Sequence, residues 1–274
     1  MEITFYQHNI VWGDAAANRR RVEDVLASAP KSDIFVVPET FTTGFGDHMA
    51  TLAEPHEGPT LQWARQMANR YDLLFVGTWI VREEGQCYNR LHWVYPNGSY
   101  GYYDKAHTFR VSGEYDIISR GTERKVFEYK GWKIKPAVCY DLRFPRWLRN
   151  NDEYGMINDK YPSTAARSPL ITHHSSLSYD LLLVCANWPG SRHEAWTTLL
   201  KARAIENLCY VVGCNRSGVD GVGGKYTGNS ALIDYKGFAI AEAEAGVDEM
   251  VTVAIDKEKL DSFRQKWPLY LDFD

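Results

Sequence analysis

Short apolar runs and longer amphipathic stretches alternate along this chain of 274 residues. Residues 2–9 alternate and then run apolar, which predicts a first strand. Residues 14–29 carry apolar positions at helical spacing, opened by Asp14 as N-cap and stopped by Pro30. "DIFVVPE" (33–39) is a nearly continuous run rich in β-branched residues and predicts a buried strand. "GPTLQWARQMANRYD" reads as a helix with Pro59 in its first turn. "LLFVGTWIV" reads as a strand, and "YNRLHWVYPNGSYGYYDK" as a hairpin turning at Pro96-Asn97-Gly98.

The second half repeats the rhythm. It predicts strands near 124–130 and 132–138, a short helix near 143–150, and a strand in "YDLLLVCANWP". The helix "HEAWTTLLKARAIEN" and the strand "CYVVGCN" follow, then two or three more strands and a closing helix from near 257. Strands alternating with helices predict an α/β fold. The long apolar strands predict sheets covered on both faces. Residues 151–179 break the pattern, being polar and without clear period. Loops of that size are uncommon inside compact domains.

Composition adds little beyond class. With 45% hydrophobic and 24% charged residues and no Pro/Gly/Ser-rich linker, a single domain over 1–274 is expected. A net charge of −4 and the absence of a Lys/Arg-rich tract give no pull towards nucleic acid. No run approaches the ~18 apolar residues of a membrane span. The amino terminus lacks a basic segment followed by an apolar one, so secretion is not expected. Five cysteines, an odd number without a C-x-x-C pair or zinc spacing, fit a reducing cytoplasm.

Candidate chemistry gathers at strand ends. Cys139 closes the run 134–138, so its thiol should emerge at the carboxyl end of a strand, where open α/β sheets bind ligands. A helix starting near Leu142 would favour a thiolate there through its positive end. The same residue also reads as a buried structural cysteine. None of the eight histidines announces itself as its base. Glu39, directly after "IFVVP", is better placed, because apolar surroundings push a carboxyl towards the range a general base needs. Lys105 follows an aromatic strand; a fixed cation there would lower a thiol pKa and stabilise an oxyanion. Glu114 lies near enough in sequence to return to the same site. Each signal is weak alone; together they describe an acyl-transfer site.

These residues are also those by which the chain resembles the nitrilase, or carbon–nitrogen hydrolase, superfamily. The matching segments are "VVPETFTTGF", "YDKAHTF", "AVCYDLRFP", "ANWP" and "ARAIENLCYVVGCNRSG", in the family's order. The resemblance implies a four-layer α-β-β-α sandwich, commonly paired through its outer helices into a dimer or higher homo-oligomer. It implies Cys139 as nucleophile, Glu39 as general base, Lys105 and the Tyr140 N–H as oxyanion donors, and Glu114 as the acid that orients the site. No metal or organic cofactor is implied. The wording looks most like the omega-amidase branch, whose members hydrolyse the terminal amide of 2-oxo acids such as 2-oxoglutaramate and 2-oxosuccinamate and release ammonia. Other readings are an amidase for deaminated glutathione, a carbamoyl-amine hydrolase, or a non-catalytic scaffold.

The segment 151–179 looks like an insertion of about 25 residues relative to that family. Asn229 stands where relatives often carry aspartate, with a local structural effect expected. A 2-oxo acid monoamide needs a cation for its carboxylate, and Arg143 and Arg192 are candidates. Trp188 and Phe41 are candidate walls of the pocket, though aromatics beside strand ends also read as plain core.

Overall fold

The computed structural model describes residues 1–150 and 178–272. Its first half runs β1 (Glu2–Gln7), α1 (Ala15–Ser28), β2 (Ile34–Val36), β3 (Glu54–Pro55), α2 (Pro59–Tyr71), β4 (Leu74–Glu83), β5 (Gln86–Val94) and β6 (Tyr100–Asp104). The capping residue read from the sequence does its work: the Asp14 side chain accepts the Ala17 N–H at 2.9 Å. A single turn, α3 (Glu114–Ile117), leads to the second half. There lie β7 (Phe127–Tyr129), β8 (Trp132–Val138), α4 (Pro145–Leu148), β9 (Leu181–Ala186), α5 (His193–Asn207) and β10 (Tyr210–Asn215). The chain closes with β11 (Ser217–Val219), β12 (Lys225–Thr227), β13 (Ala231–Ile233), β14 (Ala239–Glu242), β15 (Glu249–Ala254) and α6 (Lys257–Lys266).

Two sheets form. One has the order β15-β1-β2-β4-β5-β6, with β3 on the side of β4; the other has the order β14-β13-β10-β9-β8-β7. Each has three parallel central strands, β1, β2 and β4 in one and β8, β9 and β10 in the other, with antiparallel strands outside them. Side-chain alternation then builds the layers. Leu181, Leu183 and Cys185 of β9 join Ile3, Phe5, Val36 and Val76 in a core between the sheets. Leu182, Val184 and Ala186 of the same strand face Trp196, Leu200 and Ala204 of α5. On the far side of the first sheet, Val22 and Leu26 of α1 and Leu61 and Ala64 of α2 cover Phe35 and Phe75. The order of layers is therefore α-β-β-α, the predicted sandwich.

Some expectations need correction. Five strands, not two or three, follow β10, because β13, β14 and β15 complete the sheets and β11 pairs with β12 as a hairpin. The helix predicted near 143–150 shrinks to Pro145–Leu148, preceded by a 3₁₀ turn over Cys139–Arg143. Asn229 takes a left-handed φ of 55°, which asparagine tolerates, and its carbonyl accepts Trp196 Nε1 at 2.8 Å. The proposed insertion lies, for residues 151–177, outside the described residues. Among the described residues no helix is long and apolar enough to cross a membrane.

Candidate active site

The parallel strands deliver the site. Cys139 follows Val138 at the carboxyl end of β8, and Asn187 follows Ala186 at the same end of neighbouring β9. Glu39 arrives from the other sheet: past β2, its N–H donates to the Ala186 carbonyl at 3.3 Å. The backbone is strained where it matters. Cys139 has φ 43° and Thr40, beside the acid, φ 44°, values that cost an L-residue energy and persist only when surroundings enforce them. One enforcer is Asp141, whose Oδ2 accepts the Val138 N–H at 3.0 Å across the start of the turn. Another is Asn187, whose side chain donates to the Glu39 carbonyl and to Thr40 Oγ1.

Glu39, Lys105 and Glu114 are fully buried and meet. Lys105 Nζ donates to Glu39 Oε1 and to both Glu114 oxygens, each at 2.9 Å, so all three of its N–H bonds are committed to carboxylates. Glu39 Oε2 accepts the Asn187 N–H at 2.8 Å. The Cys139 thiol lies close to the Glu39 carboxylate and to the Asn187 N–H, at the ends of neighbouring strands. Glu114 Oε2 takes the Phe109 N–H at 2.6 Å.

The electrostatics reverse one sequence expectation. The thiol was expected to be activated by a cation and a helix end. Instead burial pushes the Cys139 thiol well above its ordinary value, and the Glu39 charge pushes the same way, against a smaller opposing pull from Lys105. A thiol raised in this way needs a base beside it to react as the thiolate. For Lys105, burial works against the charge, but Glu114 and then Glu39 overcome it and hold the ammonium well above its usual range. Burial raises the Glu114 carboxyl, with Lys105 opposing and Glu39 reinforcing.

Cys139 opens into a cavity of about 470 Å³. Lys105, Tyr140, Arg143, Trp188 and Arg192 line it, as do the overlooked Phe45 and His48. Arg143 lies 4.8 Å from the Trp188 ring and Arg192 5.2 Å from the Phe109 ring; among the described residues neither guanidinium has a carboxylate partner. Phe41 is a correction. It sits in the outer core against Trp63, Phe75 and Trp79, under the helices of the first sheet, where its ring is buried among apolar neighbours and does not line the cavity.

Sequence reasoning missed three polar residues. Asn89, in the middle of β5, donates to Glu39 Oε1 at 2.8 Å and to Glu114 Oε1 at 3.3 Å. Asn187 was passed over inside "ANWP", where only the tryptophan drew notice. His48 stacks on Trp12 at the cavity wall and bonds the Thr43 carbonyl at 2.9 Å. No spacing marks any of them; only an asparagine in the apolar centre of a strand was an available signal.

A thiol beside a buried carboxylate, with a lysine held close to both, equips an enzyme that attacks a carbonyl through sulfur and passes an acyl group to water. The family model for carbon–nitrogen hydrolases matches residues 2–265, and the chain belongs to that family. It is a hydrolase acting on C–N amide bonds. The chain is 39% identical to an omega-amidase, YafV, of Yersinia enterocolitica, over 100% of this chain and 97% of that one. It is 29% identical to a 2-oxoglutaramate amidase of Bacillus subtilis over 98% of this chain and 96% of that one. A solved structure from Xanthomonas campestris, described as a CN-hydrolase superfamily protein with an arsenic adduct in its active site, superposes with a TM-score of 0.90. It is 40% identical, covering 100% of this chain and 97% of that one.

Proposed function

We propose that the protein is an omega-amidase, releasing ammonia from the terminal amide of a small 2-oxo acid such as 2-oxoglutaramate or 2-oxosuccinamate. Cys139 is its nucleophile, Glu39 its general base and acid, Lys105 with the Tyr140 N–H its oxyanion site, and Glu114 the acid that orients Lys105. The observation that carries this reading is the buried cluster in which Lys105 bonds both Glu39 and Glu114 at the cavity that Cys139 lines, with the Asn187 N–H holding the other oxygen of Glu39.

The steps follow from the contacts. Glu39 takes the thiol proton as sulfur attacks the amide carbon. Protonation makes the Glu39 carboxyl a poorer acceptor, so the Lys105 N–H it held turns to the oxyanion forming at the same moment. The carboxyl proton passes to the departing nitrogen, and ammonia leaves a thioester on Cys139. Water loses a proton to Glu39, attacks the thioester, and the carboxyl returns that proton to sulfur as the acid departs. One carboxylate serves each proton transfer.

Arg143 and Arg192, without carboxylate partners among the described residues, suit the far carboxylate of such a substrate. The similarity to omega-amidases over the full chain supports this substrate class. We further propose a cytoplasmic homodimer; exposed Ile205, Phe238 and Ile240, 52%, 67% and 43% accessible, lie on α5, the turn between β13 and β14, and edge strand β14, and suit a self-contact.

The test is ammonia release from 2-oxoglutaramate beside a panel of other amides, for wild type and Cys139→Ala. Turnover by wild type alone, best on the 2-oxo acid amide, is expected. Activity surviving the substitution would remove the thiol mechanism, and a better amide elsewhere in the panel would replace the substrate.

A further inference from the structure

The oxygens of Glu39 and Glu114 are not equivalent, and counting their donors shows why. A carboxylate oxygen accepts about two hydrogen bonds in the carboxylate plane. Glu114 Oε1 takes Lys105 and Asn89, and Glu114 Oε2 takes Lys105 and Phe109. Glu39 Oε1 takes Lys105 and Asn89. Glu39 Oε2 takes one backbone donor, the Asn187 N–H. Of the four oxygens, it alone keeps an acceptor site open among the described residues. The Asn187 N–H that it holds comes from the carboxyl end of β9, beside the end of β8 that carries Cys139.

Asn89 is what closes two of the other three. Both hydrogens of its amide are spent, one on each glutamate, while its Oδ1 is buried with no partner among the described residues. Its place is fixed from the backbone, since the Asn89 carbonyl accepts the Lys105 N–H at 3.0 Å. The lysine and the amide thus reach the acids from one rigid pair of strands.

We infer that Asn89 is a positioning residue for proton transfer: with Lys105 it fills Oε1 of Glu39 and so leaves Oε2, on the side of the sulfur, as the oxygen that exchanges protons with thiol, ammonia and water. The inference rests on the proposed role of Glu39 as base. Without Asn89 the carboxylate loses one of the two donors on Oε1 and is held less firmly, so the open acceptor no longer faces the thiol in every molecule.

The experiment compares Asn89→Leu, which keeps the volume and removes both donors, with Asn89→Ser, which keeps one. Two readouts are taken on enzyme shown to be folded by its melting curve. One is kcat and KM for 2-oxoglutaramate; the other is the rate at which iodoacetamide labels Cys139, with Cys139→Ala identifying the labelled site. We expect kcat to fall about 100-fold in the leucine variant and about 10-fold in the serine variant, with KM within about threefold. Labelling should slow in the same order. If the leucine variant does not fold, the serine variant decides. Wild-type kcat and labelling in a folded variant would overturn the inference, as would a loss confined to KM or to melting temperature. The labelling arm needs no amide turnover. If wild type hydrolyses no amide yet the variants still label slowly, the omega-amidase reading fails and the positioning role of Asn89 stands.

Discussion

Asp141 holds His107 twice, accepting its backbone N–H at 3.0 Å and its ring Nδ1 at 2.7 Å on the same oxygen. The other oxygen accepts Tyr103 Oη–H at 2.8 Å and the Val138 N–H at 3.0 Å. Asp141 is two residues past Cys139 and His107 two past Lys105. One buried carboxylate therefore latches the cysteine turn to the lysine loop, and the His107 ring is clamped on its far side by Phe144 at 3.7 Å.

Asp141→Ala leaves these donors without partners in the core. The expected cost is about 3–5 kcal/mol of stability. Because Lys105 and Cys139 lose their common anchor, kcat should fall further than KM rises, by about 100-fold. Thermal melts, and kinetics well below the variant's melting temperature, check both. A variant that melts early but turns over normally would reduce the latch to a purely structural tie.

Glu114→Gln separates charge from shape. The folded-state carboxyl is raised above its ordinary value by burial, so its contribution to stability is fully present below about pH 4.5 and is lost as pH rises through the folded value. Glutamine has no such loss. The melting temperature of the variant relative to wild type should therefore improve between pH 4 and pH 7, while kcat falls about 10- to 100-fold because Lys105 is held less firmly. Paired melts across that range give the sign directly.

Lys105→Met tests the opposite charge. In wild type the ammonium is raised above its usual range, so its stabilisation is complete below about pH 10.5 and does not change across an ordinary assay. Removing it leaves two buried carboxylates uncompensated, at an expected cost of about 3–5 kcal/mol at neutral pH that shrinks in acid as one of them takes a proton. It also removes the lysine pull that opposes the upward push on the thiol. Turnover should be lost even at pH values where the variant is folded.

The elements were readable because each carries its own periodicity. β9 alternates between two cores and α5 shows its apolar stripe, so the layers could be inferred without knowing their partners. Glu39 and Lys105 were readable because each sits just past a strand, and Glu114 because it lies nine residues beyond the lysine. Asn89 was not, since its importance lies in two carboxylates supplied from 50 and 25 residues away. Phe41 misled for a related reason: closeness to Glu39 in sequence says nothing of which face of the sheet a ring takes. The thiol's resting state was also hidden, because sequence showed the lysine nearby but not the burial and the acid that outweigh it.

Arg143 offers the sharpest test of substrate class. It ends the 3₁₀ turn that begins at Cys139, so its distance from that thiol is set by the turn, and the Trp188 face 4.8 Å away holds the guanidinium over the cavity. Trp188 is itself tied down, its backbone N–H to Asn215 at 2.7 Å and its indole N–H to the Arg192 carbonyl at 2.8 Å. Arg192 starts from an exposed 3₁₀ turn with fewer constraints. If Arg143 anchors the carboxylate, Arg143→Met should raise KM for 2-oxoglutaramate about tenfold, roughly 1.4 kcal/mol of lost binding, and leave kcat within about threefold. A neutral amide such as butyramide lacks the carboxylate, so its kcat/KM should be unchanged in the same variant. Arg192→Met serves as the comparison: a larger rise in KM there would move the anchor to the cavity mouth. Equal losses for charged and neutral amides in both variants would mean that neither arginine reads the carboxylate, and that the pocket selects its substrate by shape.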